Sequence, residues 1–408
     1  MEIKMIPGGV CAALGFQAAG VHCGIRKNAS KRDLMLLCSD LPCAAAACYT
    51  RNKVFGAPIT VTRRHLQNGF ARAVVCNSGN ANTCNADGVE KANAMCKAAA
   101  AALHIPEDDV IVASTGVIGQ PLPIRPIEAA LPGLARSLCA GESAANEAAQ
   151  AIMTTDTHPK EAAVEFTLGG KTCHLGGMCK GSGMIEPDLC TMLAFLTTDA
   201  AISPGLLQKA LLGSVQDTYN MVSIDGDTST NDMVTLLANG AAGNAPITAE
   251  GDDFDAFCAA LHALNTALCR QIAKDGEGAT KLLTCTVRGA NGGETAKKIA
   301  KSVVKSTLFK CAVFGCDANW GRILCAIGYT DAEFSVEHIA VWLASRAGRV
   351  QVCQNGAGLP FSEDEALAVL KEDEVTVEIE MGEGGAAATA YGCDLSYDYV
   401  KINGDYRT

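Results

Sequence analysis

Short apolar runs of strand length recur along this chain, and most are stopped by clusters of Gly, Asn, Ser or Pro. Asp33–Cys38 (DLMLLC), Ala57–Thr62 (APITVT), Ala71–Cys76 (ARAVVC) and Asp109–Ala113 (DVIVA) have the length and branched content of β-strands. The Asn-Ser-Gly-Asn-Ala-Asn cluster at 77–82 predicts a sharp break after the third. Helical stretches interleave with them: Gly88–Leu103, Pro126–Cys139, Ala144–Met153, Phe254–Lys274 and a Lys-studded helix from Glu294. Ser203-Pro204 opens another, with Ser able to cap and Pro suited to the first helical position. Further strands are predicted at Ala163–Leu168, Thr191–Thr197, Leu282–Arg288, Val375–Glu380 and Ser396–Ile402, and a Gly-dense stretch runs from Gly176 to Gly183. Strands and helices mixed in this way predict an α/β or layered α+β fold. No linker, repeat or clean domain boundary interrupts the pattern.

Composition narrows the function. Of 408 residues 49% are apolar and 19% charged, enough for a large core and too apolar for wholesale disorder. The net charge of −11 repels phosphate backbones and anionic lipid, so neither nucleic acid nor a membrane surface is expected as partner. No apolar run approaches the ~20 residues of a membrane span, and the opening MEIKMIPGGV lacks a leader pattern. The 20 cysteines are scattered, with nearest pairs such as Cys38/Cys43 and Cys173/Cys179 wider than Cys-x-x-Cys. Many stand among Ala, Val and Leu, where a thiol acts as a small hydrophobe. Mostly buried thiols, no metal and a reducing cytoplasm are expected.

Several catalytic devices are missing. There is no His-Glu-x-x-His and no Gly-x-Ser-x-Gly. Gly169-Gly170-Lys171-Thr172 ends like a phosphate loop, but Glu165 stands where its first glycine belongs. No cofactor is required. The stretch that stands out is Met178–Ala200 (MCKGSGMIEPDLCTMLAFLTTDA), where a Gly-rich approach carrying Lys180 meets Cys190-Thr191 before an apolar run. One reading is a glycine turn and a core strand that begins with Thr. The other is an internal nucleophile: the Thr191 hydroxyl attacks the preceding carbonyl, and hydrolysis of the resulting ester leaves Thr191 as a new N-terminus. Its α-amine, with a reference pKa of ~7.7–8.0, then serves as base for its own hydroxyl. An oxyanion hole would also be needed, and Ser114-Thr115-Gly116 after the strand Asp109–Ala113 has that character.

Taken together, ordered blocks across essentially the whole chain resemble the ornithine acetyltransferase (glutamate N-acetyltransferase) family. They are Gly15–Gly20, Asn77–Asn82 (NSGNAN), Ala113–Gly119 (ASTGVIG), Met153–Thr157 (MTTDT) and Lys180–Ile185 (KGSGMI). They continue with Thr191–Ala200, Asp225–Asp232 (DGDTSTND), Asp317–Ile323 (DANWGRI) and Asn403–Thr408. The resemblance implies stacked sheets between helices, similar to the self-cleaving aminopeptidases of the same superfamily. It implies a cut between Cys190 and Thr191, giving an α chain of residues 1–190 and a β chain of 191–408 that form one catalytic unit and an α2β2 heterotetramer. The implied reaction is ping-pong transfer of acetyl from N2-acetylornithine to glutamate in arginine biosynthesis, through an acetyl-Thr191 intermediate. Some family members also accept acetyl-CoA as donor, which no motif here decides.

The same resemblance assigns residues. Thr115 and Gly116 are the implied oxyanion pair; Thr154, Lys180, Thr191, Glu277, Asn403 and Thr408 fall on substrate-binding positions. Lys180 would meet a substrate carboxylate and Glu277 an ornithine ammonium. Asn77–Asn82 and Asp225–Asp232 are expected to shape the site. Cys190 stands where the family usually has Ala, and Glu186–Leu189 is more acidic than usual, departures that bear on the rate of self-cleavage. The alternative is a self-cleaving Thr aminopeptidase or amidase, in which water replaces glutamate.

Overall fold

The structure, a computed structural model, describes residues 2–183 and 192–405. Its strands, in chain order, are β1 (Lys4–Ile6), β2 (Phe16–Val21), β3 (Leu34–Tyr49), β4 (Phe70–Asn80), β5 (Val110–Val117), β6 (Lys160–Leu168), β7 (Lys171–Lys180) and β8 (Leu193–Thr198). They continue with β9 (Val222–Ser223), β10 (Met233–Ala238), β11 (Leu282–Ala290), β12 (Ala340–Ser345), β13 (Gly348–Gln354), β14 (Ala357–Gly358), β15 (Glu374–Glu380) and β16 (Ala386–Cys393). Among the described residues these form two sheets, ordered β1-β6-β7-β8-β10-β3-β4-β5, with β2 on β3, and β14-β13-β12-β15-β11-β16-β9.

At the centre of the first sheet, β8 runs parallel to β10 and antiparallel to β7, with Leu193 opposite Met233 and Lys180. All six β8 residues are buried, which is why its sequence is continuously apolar rather than alternating. One face is covered by α4 (Glu142–Ile152). The other packs on α5 (Pro204–Asp217) and α6 (Asp252–Lys274), and α6 also touches β11 and β16 of the second sheet. The second sheet has its own core with α7 (Gly293–Lys305) through α10 (Glu363–Leu370). This is the layered α/β fold that the sequence predicts.

Several local expectations are corrected. Ala57–Thr62 is not a strand but the start of α1 (Ala57–His65), where Gly56 is extended and Pro58 occupies the first turn. Its branched Thr62 instead bonds the Val112 backbone in both directions, at 2.8 and 3.0 Å. The expected break after Cys76 does not occur, because β4 continues to Asn80. The Gly-dense stretch at 176–183 is largely strand β7: a Cβ on Gly176 would collide with the Gly9 carbonyl, so this glycine serves close backbone approach. Ser396–Ile402 is not a strand; Tyr397–Asp405 forms the C-terminal helix α11. Ser203 precedes α5 without a side-chain cap bond. Of the 19 described cysteines all are free, ten are buried and only four are exposed.

Candidate active site

One cleft of about 330 Å³ collects residues from widely separated segments of the chain. Thr115 and Gly116 lie at the end of β5, Thr154 in the turn after α4, Lys180 on the last position of β7, Glu277 in the turn after α6, and Asn403 on α11. Six of the nine residues singled out from sequence thus line a single cavity. The other three, Cys190, Thr191 and Thr408, lie outside the described residues.

Backbone geometry at the β5 end is set by glycine. Gly116 has φ +127° beside Gly79, and a Cβ there would strike the Gly79 backbone. The two expected shaping blocks meet here. Asn77 Oδ1 accepts from the Ser114 hydroxyl at 2.6 Å, and Asn231 Nδ2 donates to the Ala81 and Ser114 carbonyls at 2.6 and 3.0 Å. Thr83 closes the set by donating its hydroxyl to Asn231 Oδ1 at 2.7 Å. The end of β5 bearing Thr115 and Gly116 is therefore held on both flanks.

The opposite wall is organised by a buried ion triad that sequence reasoning passes over. Lys160 Nζ lies 2.6 Å from Asp156 Oδ1 and 2.5 Å from Asp275 Oδ2, and all three side chains are essentially without exposure. Each carboxylate then fixes a cleft segment. Asp156 accepts the Thr154 N–H and the Gly181 N–H, both at 2.8 Å. Asp275 accepts the Thr157 N–H at 3.1 Å and the Thr157 hydroxyl. Ser182 donates its hydroxyl to the Asp275 carbonyl, and its own carbonyl takes the Glu277 N–H, both at 2.8 Å. Asp156 stands inside the quoted MTTDT block, but Asp275 is 115 residues from Lys160, so no local pattern reveals the triad.

Electrostatics follow from burial and these partners. Burial alone would push the Asp156 carboxyl up, but the Lys160 and Lys180 ammoniums and the Thr154 N–H hold it well below the usual range. Burial would lower Lys160, yet Asp156 and Asp275 keep it above its ordinary value. Glu277, 8% exposed, accepts from Asn403 Nδ2 at 2.7 Å. Lys180 is only 9% exposed and its ammonium enters no hydrogen bond or ion pair among the described residues. A buried cation of this kind, opening on a cleft, suits an anionic ligand group.

Asp232 is a second feature that the sequence does not single out by itself. It is 2% exposed, and its Oδ2 has no hydrogen-bond partner among the described residues. Burial holds its carboxyl well above the usual range, against the opposing pull of Ser229, Lys180 and Thr50. No helix among the described residues is long and apolar enough to cross a membrane.

A layered α/β fold with a small cleft lined by a buried ammonium and carboxylates has a site suited to small polar molecules. The chain belongs to the ArgJ family, whose family model matches residues 17–408. It is 49% identical over 395 residues to arginine biosynthesis bifunctional protein ArgJ 1 of Clostridium acetobutylicum, covering 96% of each chain. It is 48% identical to the ArgJ protein of Symbiobacterium thermophilum over the full length of both. A crystal structure of the Bacillus halodurans ArgJ protein matches with 44% identity and a TM-score of 0.50, over 53% of this chain and all of that chain.

Proposed function

We propose that the protein is a glutamate N-acetyltransferase of arginine biosynthesis that moves acetyl from N2-acetylornithine to glutamate by a ping-pong mechanism on Thr191. The observation that carries this reading is the buried Lys180, without a hydrogen bond or ion pair among the described residues, sharing one cleft with Thr115, Gly116, Glu277 and Asn403. Lys180 takes the α-carboxylate of either amino acid, and Glu277, oriented by Asn403, takes the side-chain ammonium of the donor. Thr191, freed by cleavage after Cys190, uses its α-amine to accept its hydroxyl proton while the oxygen attacks the acetyl carbonyl. Thr115 and Gly116 stabilise the tetrahedral oxyanion. The proton passes to the departing α-nitrogen, ornithine leaves, and Thr191 carries an acetyl ester. Glutamate's neutral α-amine attacks that ester, N-acetylglutamate leaves, and the hydroxyl is restored. Thr154 and Thr408 complete the substrate contacts.

The sheet order supports two chains that remain one unit. A cut between 190 and 191 would leave β8 and β10 of the second chain hydrogen-bonded between β7 and β3 of the first. Residues 191–408 are also 53% of the chain, the share matched by the complete solved chain from Bacillus halodurans. We carry forward assembly as an α2β2 heterotetramer, and the cytoplasm, which suits a chain whose described thiols are all unpaired. The word bifunctional in the relatives' names favours acetyl-CoA as a second donor.

The test is product analysis. Labelled acetyl should appear in N-acetylglutamate when N-acetylornithine and glutamate are supplied together, and from acetyl-CoA with glutamate alone. Release of free acetate irrespective of glutamate would replace transfer by hydrolysis.

A further inference from the structure

Charge is unevenly distributed along the cleft. Among the described residues that line it, the charged ones are one cation, Lys180, and three carboxylates, Asp225, Asp227 and Glu277. Lys180 is more than nine-tenths buried, enters no hydrogen bond or ion pair among the described residues, and opens on the cavity, so it marks the place of a ligand anion. The carboxylates gather around Tyr399, which also lines the cleft. Burial, together with the nearby Asp225, Glu277 and Asp227, pushes the Tyr399 hydroxyl above its ordinary value. Asp225 Oδ1 in turn accepts the Asp227 N–H at 3.2 Å.

A ping-pong enzyme must admit two amino acids to one cleft in turn. Both carry the α-carboxylate that Lys180 suits; they differ at the far end of the side chain, an ammonium in ornithine and a carboxylate in glutamate. Glu277 alone would distinguish them, but Asn403 already donates to it, so part of its charge is answered within the protein. Asp225 and Asp227 add to the same end of the cleft. We propose that Asp225 and Asp227 are specificity-determining residues that bias the cleft toward the ammonium-bearing donor and against the carboxylate-bearing acceptor. This rests on the acetyl-transfer reading for the identity of the two ligands. It further implies that donor preference is set by charge at the cleft's rim, where Asp227 is exposed to solvent and salt.

Binding of unacetylated ligands tests this without turnover. Ornithine, norvaline (the same chain without its terminal amine) and glutamate are titrated by calorimetry into wild type, Asp227→Asn, Asp225→Asn and Asp227→Glu. Each Asp→Asn variant should weaken ornithine by ~2–5-fold, the range of an exposed ion pair. Norvaline should be unchanged and glutamate should tighten, while Asp227→Glu restores the wild-type order. The differences should shrink in 1 M salt, where the screening length is about 3 Å. An unchanged ornithine-to-norvaline ratio, or glutamate weakening together with ornithine, would overturn the proposal. Acetyl exchange assayed on the same wild-type sample separates the two claims. Its absence removes the transfer reading, while the ligand ratios still decide whether these carboxylates select for an ammonium.

Discussion

Lys160 is a charged side chain with no exposed surface, held between two carboxylates that reach three segments of the cleft wall. Removing one member of such a group leaves the others buried and unanswered, which costs about 3–5 kcal/mol. Lys160→Met should therefore lower unfolding free energy by about that amount in urea titrations. The pH dependence has a defined sign. Asp156 is held below its unfolded value of ~3.9, so its contribution is present above that pH and fades as pH falls through its folded value. Lys160 is held above its unfolded value of ~10.4, so its contribution is present below that pH and fades as pH rises through its folded value. The stability gap between wild type and Lys160→Met should be widest between about pH 4 and 10. Asp232 has the opposite sign to Asp156. Its carboxyl is raised by burial, so the stability of the neutral form is lost as pH rises. Asp232→Asn should be more stable than wild type at pH 8 by roughly 1–3 kcal/mol, and equal to it in acid. A third side chain, Glu277, lies against Gly183, where a Cβ would strike its carboxylate. Gly183→Ala should displace it from Asn403 and raise the KM for acetylornithine by ~10-fold or more, a charge-assisted hydrogen bond being worth ~1.5–3 kcal/mol. An unchanged KM would place substrate recognition elsewhere.

Elements differ in how openly they announce themselves. β8 and α6 are legible because burial on both faces demands an unbroken apolar run in one, and a long apolar stripe repeats through 23 residues of the other. β7 is not, since Gly176 serves backbone approach to Gly9 and reads in sequence as a turn. α1 and α11 mislead for tertiary reasons: the branched residues of α1 are used against β5, and α11 buries no residue at all. Thr115, Gly116, Thr154, Lys180, Glu277 and Asn403 are legible as candidates only through their order in a family pattern. Their convergence required the fold, and the Lys160 triad required contacts spanning 115 residues. Because α11 contributes Tyr399 and Asn403 to the cleft but nothing to a core, function and stability should separate there. Ending the chain at Ser396 should leave the denaturation midpoint nearly unchanged and abolish ornithine binding by calorimetry. A large loss of stability would instead make the helix part of the fold.

Across the whole molecule, the first sheet is built from both sides of the 190/191 junction, and the cleft draws Thr115, Thr154 and Lys180 from one side and Glu277 and Asn403 from the other. In the proposed mechanism, cleavage and acyl transfer are linked in a single polypeptide whose products stay one catalytic unit. Intact mass under denaturing conditions, before and after incubation with N-acetylornithine, tests that account most directly. It predicts two chains, residues 1–190 and 191–408, with the second gaining one acetyl group and losing it once glutamate is added. A single uncut chain, or a second chain whose mass never changes, would contradict it.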